Sequence, residues 1–144
     1  MGKIVTVFTE EAPKPLGHYS QAVRGGGLIH ISGQLPIPKS GVPDNQSASF
    51  DAQAKLVLNN FLAILDAAGA KKQDVLKVTA YIVSAENWPL FNQMFVEAFG
   101  DHRPSRSVVP VPELHHGYLI EIDGASSSAW SSVSRVFRLG GGWG

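Results

Sequence analysis

The sequence predicts an α+β domain: a sheet of about six strands with two helices packed on one face. Three observations predict it. Short β-branched or alternating apolar segments lie at both ends and in the middle of the chain. Two stretches with apolar residues three and four apart separate them, as helices require. The resulting order is strands, helix, strand, helix, strands, with no internal repeat. Two helices cannot cover both faces of such a sheet, so the second face is left to solvent or to other subunits. The 144 residues fit one domain, and folding at this length buries roughly 68% of the chain's surface.

Ile4 to Phe8 reads as a first strand. Glu10 to Gly17 holds Pro13, Pro15 and Gly17 and reads as a loop, because proline lacks a donor and glycine frees the backbone. Tyr19–Arg24 and Leu28–Ser32 flank Gly25-Gly26-Gly27 and read as a hairpin. Leu35 to Pro43, with three prolines, is a loop. The first helix is marked by Phe50, Ala54, Val57, Leu58, Phe61, Leu62 and Leu65, with Ser47 or Ser49 as its cap and Gly69 just past its end. Val75–Val83 is a strand dense enough in apolar residues to expect burial of both faces over part of its length. A second helix is expected from Glu86 to Phe99, capped by Ser84 and ended by Gly100, with Trp88, Phe91, Phe95 and Ala98 as its stripe. Arg106–Val111 and Tyr118–Ile122 complete the strands. After Asp123 the pattern dissolves into serines and glycines. The expectation is a domain over residues 1–125 and a loose tail over 126–144, where Trp130, Val133, Val136 and Phe137 are the residues able to dock it.

Composition narrows the function. Twelve Lys and Arg balance twelve Asp and Glu, which argues against a nucleic-acid binder needing a basic field. The absence of cysteine excludes a disulfide scaffold, a thiolate metal site and a cysteine nucleophile. No apolar run reaches the ~18 residues of a membrane span, and the first residues lack a signal-peptide pattern. The expectation is a cytoplasmic protein with no membrane partner.

Several motifs carry little. Gly25-Gly26-Gly27 lacks the Lys-Ser/Thr and the strand-to-helix setting of a phosphate loop. His115-His116 is an adjacent pair without ligand spacing, which argues against a metal site. No Gly-x-Ser-x-Gly elbow is present. Two charges inside apolar strands are more informative. Arg106 lies in Ser-Arg-Ser-Val-Val and Glu121 in Leu-Ile-Glu-Ile, where an unpartnered charge is costly. Two readings stay open. The pair is a structural ion bridge, or each simply faces solvent on an edge; alternatively Arg106 holds a substrate carboxylate through its planar fork while Glu121 positions a water.

Taken in order, Gly17-His18-Tyr19-Ser20-Gln21-Ala22, Ile31-Ser32-Gly33-Gln34-Leu35-Pro36, Asn59-Asn60-Phe61 to Gly69, Lys77-Val78-Thr79, Pro104-Ser105-Arg106-Ser107 and Leu119-Ile120-Glu121-Ile122 resemble the reactive intermediate deaminase (RidA/YjgF) family. The likeness runs from about Ile4 to Asp123. It implies a chorismate-mutase-like mixed sheet with two helices on one face, assembled as a homotrimer with sites between neighbouring subunits. It implies hydrolysis of enamines and imines, chiefly 2-aminoacrylate and other 2-imino acids, to 2-keto acids and ammonia, with no cofactor. By position, Arg106 matches the arginine that clamps the carboxylate and Glu121 the glutamate associated with the attacking water. Tyr19 matches the tyrosine lining the cleft, Asn92 the helix asparagine near the ligand, and Gly33 the glycine whose backbone approaches it.

The departures are specific. His18 replaces the usual proline before Tyr19. Val108 stands at a substrate-binding position that is often cysteine, where a backbone contact survives the change. Leu114-His115 replaces the usual Leu-Pro, which brings His115 or His116 to the border of the site. A non-catalytic trimer binding a small carboxylate or a protein is the alternative on the same fold, with a ribonuclease or translation inhibitor third.

Overall fold

A computed structural model describes residues 3–128; the expectations for the tail beyond Ser128 lie outside the described residues. Strands β1 (Val5–Val7), β2 (Ala22–Gly25) and β3 (Leu28–Gln34) form an antiparallel meander. The β2–β3 turn has Gly26 at φ +61° and Gly27 at φ +79°, the two consecutive left-handed residues of a hairpin turn matched to strand twist. Helix α1 (Phe50–Ala67) leads to β4 (Val75–Val83), and helix α2 (Trp88–Phe99) to β5 (Ser105–Val111), parallel to β4. The last strand, β6 (Ile120–Ser127), inserts between β3 and β4, antiparallel to both. The sheet order is β1-β2-β3-β6-β4-β5, the mixed six-stranded sheet with two helices that the sequence predicts.

Helix α1 starts where Ser49, in an extended conformation, accepts the N–H of Ala52 with its hydroxyl. Gly69 follows its end at φ +88°. Its buried face, from Phe50 through Val57, Leu58 and Phe61 to Leu65, meets Ile29 and Ile31 of β3, Val78, Ala80 and Ile82 of β4, and Ile120 and Ile122 of β6 in one core. Phe91, Phe95 and Phe99 of α2 close the core at the other end. Phe95 and Phe99 stack with ring centroids 4.5 Å apart.

Buried amides hold the loops to this frame. The Gln21 carboxamide accepts from Thr9 N–H at 2.7 Å and donates to Thr9 and Pro13 carbonyls at 3.0 Å, fastening the proline-rich loop before β2. Gln53 donates to Gln46 and Ala48 carbonyls while accepting the N–H of Leu119. Asn60 donates to Ile37 and Leu35 carbonyls. These amides satisfy backbone groups that would otherwise be buried without partners.

Three expectations are corrected. Strand β4 buries alternate residues only: Val78, Ala80 and Ile82 face the helices, while Lys77, Thr79, Tyr81 and Val83 lie on the open face and remain half-buried. Its apolar density reflects β-branched preference as much as burial. Helix α2 begins at Trp88, after a 3-10 turn over Ala85–Asn87 that Ser84 caps, and Trp88 is 43% exposed instead of sharing the core stripe. Finally, the last strand begins at Ile120, not Tyr118, and runs through Ser127. Gly124 and Ser126 sit opposite Ile31 and Ile29 in mid-sheet. A Cβ at Gly124 would meet Lys77 O at 2.5 Å and the Phe61 ring at 2.9 Å, so a small residue there marks close packing instead of a strand's end. Among the described residues no helix is long and apolar enough to cross a membrane.

Candidate functional site

Glu121 projects from the open face of β6, opposite Tyr81 of β4. It lies beside Gly33, where the β3–β6 register slips between Ile31 and Gln34. A Cβ at Gly33 would collide with Glu121 Oε2, so the bare backbone there is what lets the carboxylate lie against β3. Glu121 lines a cavity of about 270 Å³ with Tyr19, Gly33, Gln34, Lys14 and His115. Tyr19 is half-exposed on the loop that Gln21 fastens. Burial pushes the Glu121 carboxyl above its ordinary value; the nearby His115 opposes this and Asp123 adds to it. A carboxylate in this state is a better base than one in water.

Arg106 pairs in register with Val78. Because Val78 faces the helices and side chains alternate along a strand, Arg106 points to the helix side. Its Nη1 donates to Asn92 Oδ1 of α2 at 3.0 Å. Its guanidinium carbon lies 4.8 Å from the Phe95 ring centroid, 5.4 Å from Phe91 and 5.8 Å from Trp88, a cage that orients a planar cation while leaving it unneutralised. Burial lowers its pKa from the ordinary value, yet an arginine stays charged. The group borders a cavity of about 530 Å³ that also takes in Asn92, Phe95, Phe99 and Arg103.

The ion-bridge reading of Arg106 and Glu121 is therefore overturned. Among the described residues the one ion pair joins Lys39 to Glu11 at 3.0 Å, both exposed. Arg106 and Glu121 lie on opposite faces of one sheet, since Val78 and Tyr81 are an odd number of residues apart on β4. The structure thus brings the sequence-predicted residues into two groups: Tyr19, Gly33 and Glu121 in one cavity, Arg106 and Asn92 in the other. Val108 belongs to neither and packs its side chain against the core. His18 is exposed and does not line the Glu121 cavity, whereas His115 does. His115 and His116 sit in a 3-10 turn within the link between β5 and β6, with His116 at φ +62°. Among the described residues no three His, Asp or Glu side chains are grouped to hold a metal ion.

Sequence reading alone misses the aromatic cage around Arg106. Trp88, Phe91 and Phe95 read as a core stripe because their spacing says only that they share a helix face. It also misses Lys14, placed at the Glu121 cavity by a loop without periodicity. The open face beside Glu121 carries a further polar link, Tyr81 Oη donating to Asp123 Oδ2 at 3.1 Å; that bond and Asp123's charge push the phenol's pKa up. In chemical terms one half of the arrangement presents a cation with no acidic partner among the described residues. The other offers a base in a cavity large enough for a small polar molecule and a water.

Comparison with known proteins gives the family and the fold. The sequence profile of the family described as endoribonuclease L-PSP matches residues 9–127. The chain is 42% identical over 118 residues to a RutC family protein of Pyrococcus horikoshii, covering 81% of this chain and 92% of that protein. It is 38% identical over 123 residues to the 2-iminobutanoate/2-iminopropanoate deaminase of Escherichia coli K12, covering 82% and 93%. The crystal structure of Escherichia coli TdcF with bound serine superposes with a TM-score of 0.79 at 31% identity, covering 85% of this chain and 98% of that one.

Proposed function

The chain belongs to the endoribonuclease L-PSP (RidA/YjgF) family, and from that premise we propose that it hydrolyses 2-imino acids and their enamine tautomers, such as 2-aminoacrylate, to 2-keto acids and ammonia. The observation that carries the reading is the state of Arg106. A guanidinium held by Asn92 and three rings, without an acidic partner among the described residues, borders an open cavity. That is a receptor for a carboxylate, held bidentately. A relative already bears the deaminase name, and a structural relative holds serine, a molecule with the same α-carboxylate.

The chemistry asks for little more. An imine carbon is electrophilic, so orientation, a placed water and proton transfer suffice. Arg106 clamps the carboxylate and Asn92 fixes the guanidinium. Glu121 takes the proton of the attacking water, and Tyr19 offers its hydroxyl and ring as a wall of the cleft. Because Arg106 and Glu121 lie on opposite faces of one sheet, they serve one substrate only if two subunits contribute. The reading therefore includes a homotrimer with sites between neighbouring chains, which also covers the open sheet face. The balanced charge, twelve against twelve, favours a small acid over RNA as the partner.

The test generates imino acids with an amino-acid oxidase and traps them with semicarbazide. The protein is expected to suppress the semicarbazone signal, and Arg106→Ala to abolish the suppression while remaining folded. Failure to act on small, aliphatic and aromatic imino acids alike overturns the deaminase reading in favour of a carboxylate-binding trimer.

A further inference from the structure

We infer that His115 is a second proton-transfer group of this site, the acid to Glu121's base; the inference rests on the deaminase reading and deepens it. His115 belongs to the turn between β5 and β6 and stands five residues before Ile120, the start of the strand that carries Glu121. It lines the Glu121 cavity together with Tyr19 and Gly33, and it lines with Glu121 a second, shallower depression that opens to solvent. One imidazole therefore borders both the reaction space and bulk water. Its ring makes no hydrogen bond within the described residues, so both nitrogens are available.

Imine hydrolysis needs two proton transfers in each of two steps, and a carboxylate alone supplies half of them. In the first step water attacks the imine carbon. The C–O bond forms, the C=N π pair moves to nitrogen, Glu121 takes a water proton, and the imidazolium of His115 protonates the nitrogen. In the second step the neutral imidazole takes the hydroxyl proton of the carbinolamine. The C=O bond forms, the C–N bond breaks, and Glu121 returns its proton to the leaving nitrogen as ammonia. One water is consumed, and both side chains end as they began. The requirement is a carboxylate and an imidazolium present together, which neighbouring groups of opposite charge favour.

The charged and titratable groups facing Glu121 come from every neighbouring element. They are Lys14 and Tyr19 of the loop before β2, Tyr81 of β4, Glu113, His115 and His116 of the β5–β6 connection, and Asp123 of β6. His115 opposes the upward push of burial on Glu121, and Asp123 reinforces it.

The experiment measures kcat/KM for 2-iminopropanoate across pH in the full chain and in His115→Gln. The expected wild-type profile is a bell, with the ionisation of Glu121 as its rising limb. In His115→Gln the falling limb disappears, kcat drops about 10²-fold near pH 7, and the rising limb moves to higher pH because the opposing charge is gone. Added imidazole restores part of the rate. A profile in which the variant keeps the falling limb overturns the role of His115 while leaving the deaminase reading intact; an inactive wild type overturns the deaminase reading. A third measurement needs no turnover. The Glu121 carboxyl, followed by NMR, is expected to titrate at higher pH in His115→Gln, and an unmoved titration overturns the pairing.

Discussion

A carboxyl group whose charged form is disfavoured by burial weakens the fold that holds it. The Glu121 pKa is raised, with burial as the leading cause, so the folded chain binds its proton more tightly than the unfolded chain does. The associated stability is fully present below the ordinary carboxyl pKa and is lost as pH rises through the folded value. Glu121→Gln is therefore expected to raise Tm at neutral pH and leave it nearly unchanged at about pH 4, near the ordinary carboxyl value; thermal melts at the two pH values check this. On the proposed function, the planar fork of Arg106 is expected to matter more than its charge. Arg106→Lys keeps a cation but loses the planar contact with the Phe95 ring and the paired donors. Substrate binding is expected to weaken roughly 10-fold, the size of a lost charge-assisted hydrogen bond, and the imine assay reads this as a raised KM. Both residues are legible in the sequence, because a charge inside a strand-forming segment announces a special environment. What they face is not legible. The face of each depends on the registers of β5 on β4 and of β6 on β4, and a single sequence does not carry the parity of two long-range pairings.

At the scale of elements, two glycines fix the geometry by leaving room. Gly33→Ala puts a methyl group against Glu121 Oε2, so the carboxylate must turn away. The expected result is a loss of about 10²-fold in kcat, the usual effect of a displacement near 1 Å, with little change in Tm. Gly124→Ala presses instead on Lys77 O and the Phe61 ring, groups that belong to strand and core. About 1–3 kcal/mol of stability is expected to be lost through overpacking, measured by urea unfolding, with the site disturbed only indirectly. Helix α1 is readable nearly to its ends, since Ser49 and Gly69 mark its limits and its stripe matches the core face. Strand β6 is not readable past Ile122. Gly124, Ser126 and Ser127 have the composition of a loop, and only the neighbouring Phe61 ring and the flanking strands explain why small residues suit the middle of this sheet. Trp88 misleads in the opposite direction. Its spacing from Phe91 and Phe95 implies a shared face, but at the first position of α2 it reaches Arg106 beyond the edge of the core.

At the scale of the whole molecule, the proposed function and the opposite-face placement of Arg106 and Glu121 together require two chains at each site. Chains carrying Arg106→Ala and chains carrying Glu121→Gln are each expected to be inactive. Co-expressed in equal amounts they are expected to recover about a quarter of wild-type activity, because in a closed ring of mixed chains about one interface in four receives both intact residues. No recovery despite confirmed mixed assembly shows that both groups act from one chain. Size-exclusion chromatography with light scattering reads the assembly directly, with three times the 15.4 kDa chain mass expected. The placement of β6 has a further consequence, in the order of events during synthesis. The two halves of the sheet, β1-β2-β3 and β4-β5, meet only through a strand that begins at Ile120. Until that strand leaves the ribosome, β3 and β4 each present an open hydrogen-bonding edge that any other nascent chain can occupy. Among the described residues the last element to be made is thus the one that joins the two half-sheets, and β3 and β4 stay unpaired on those edges until β6 is available.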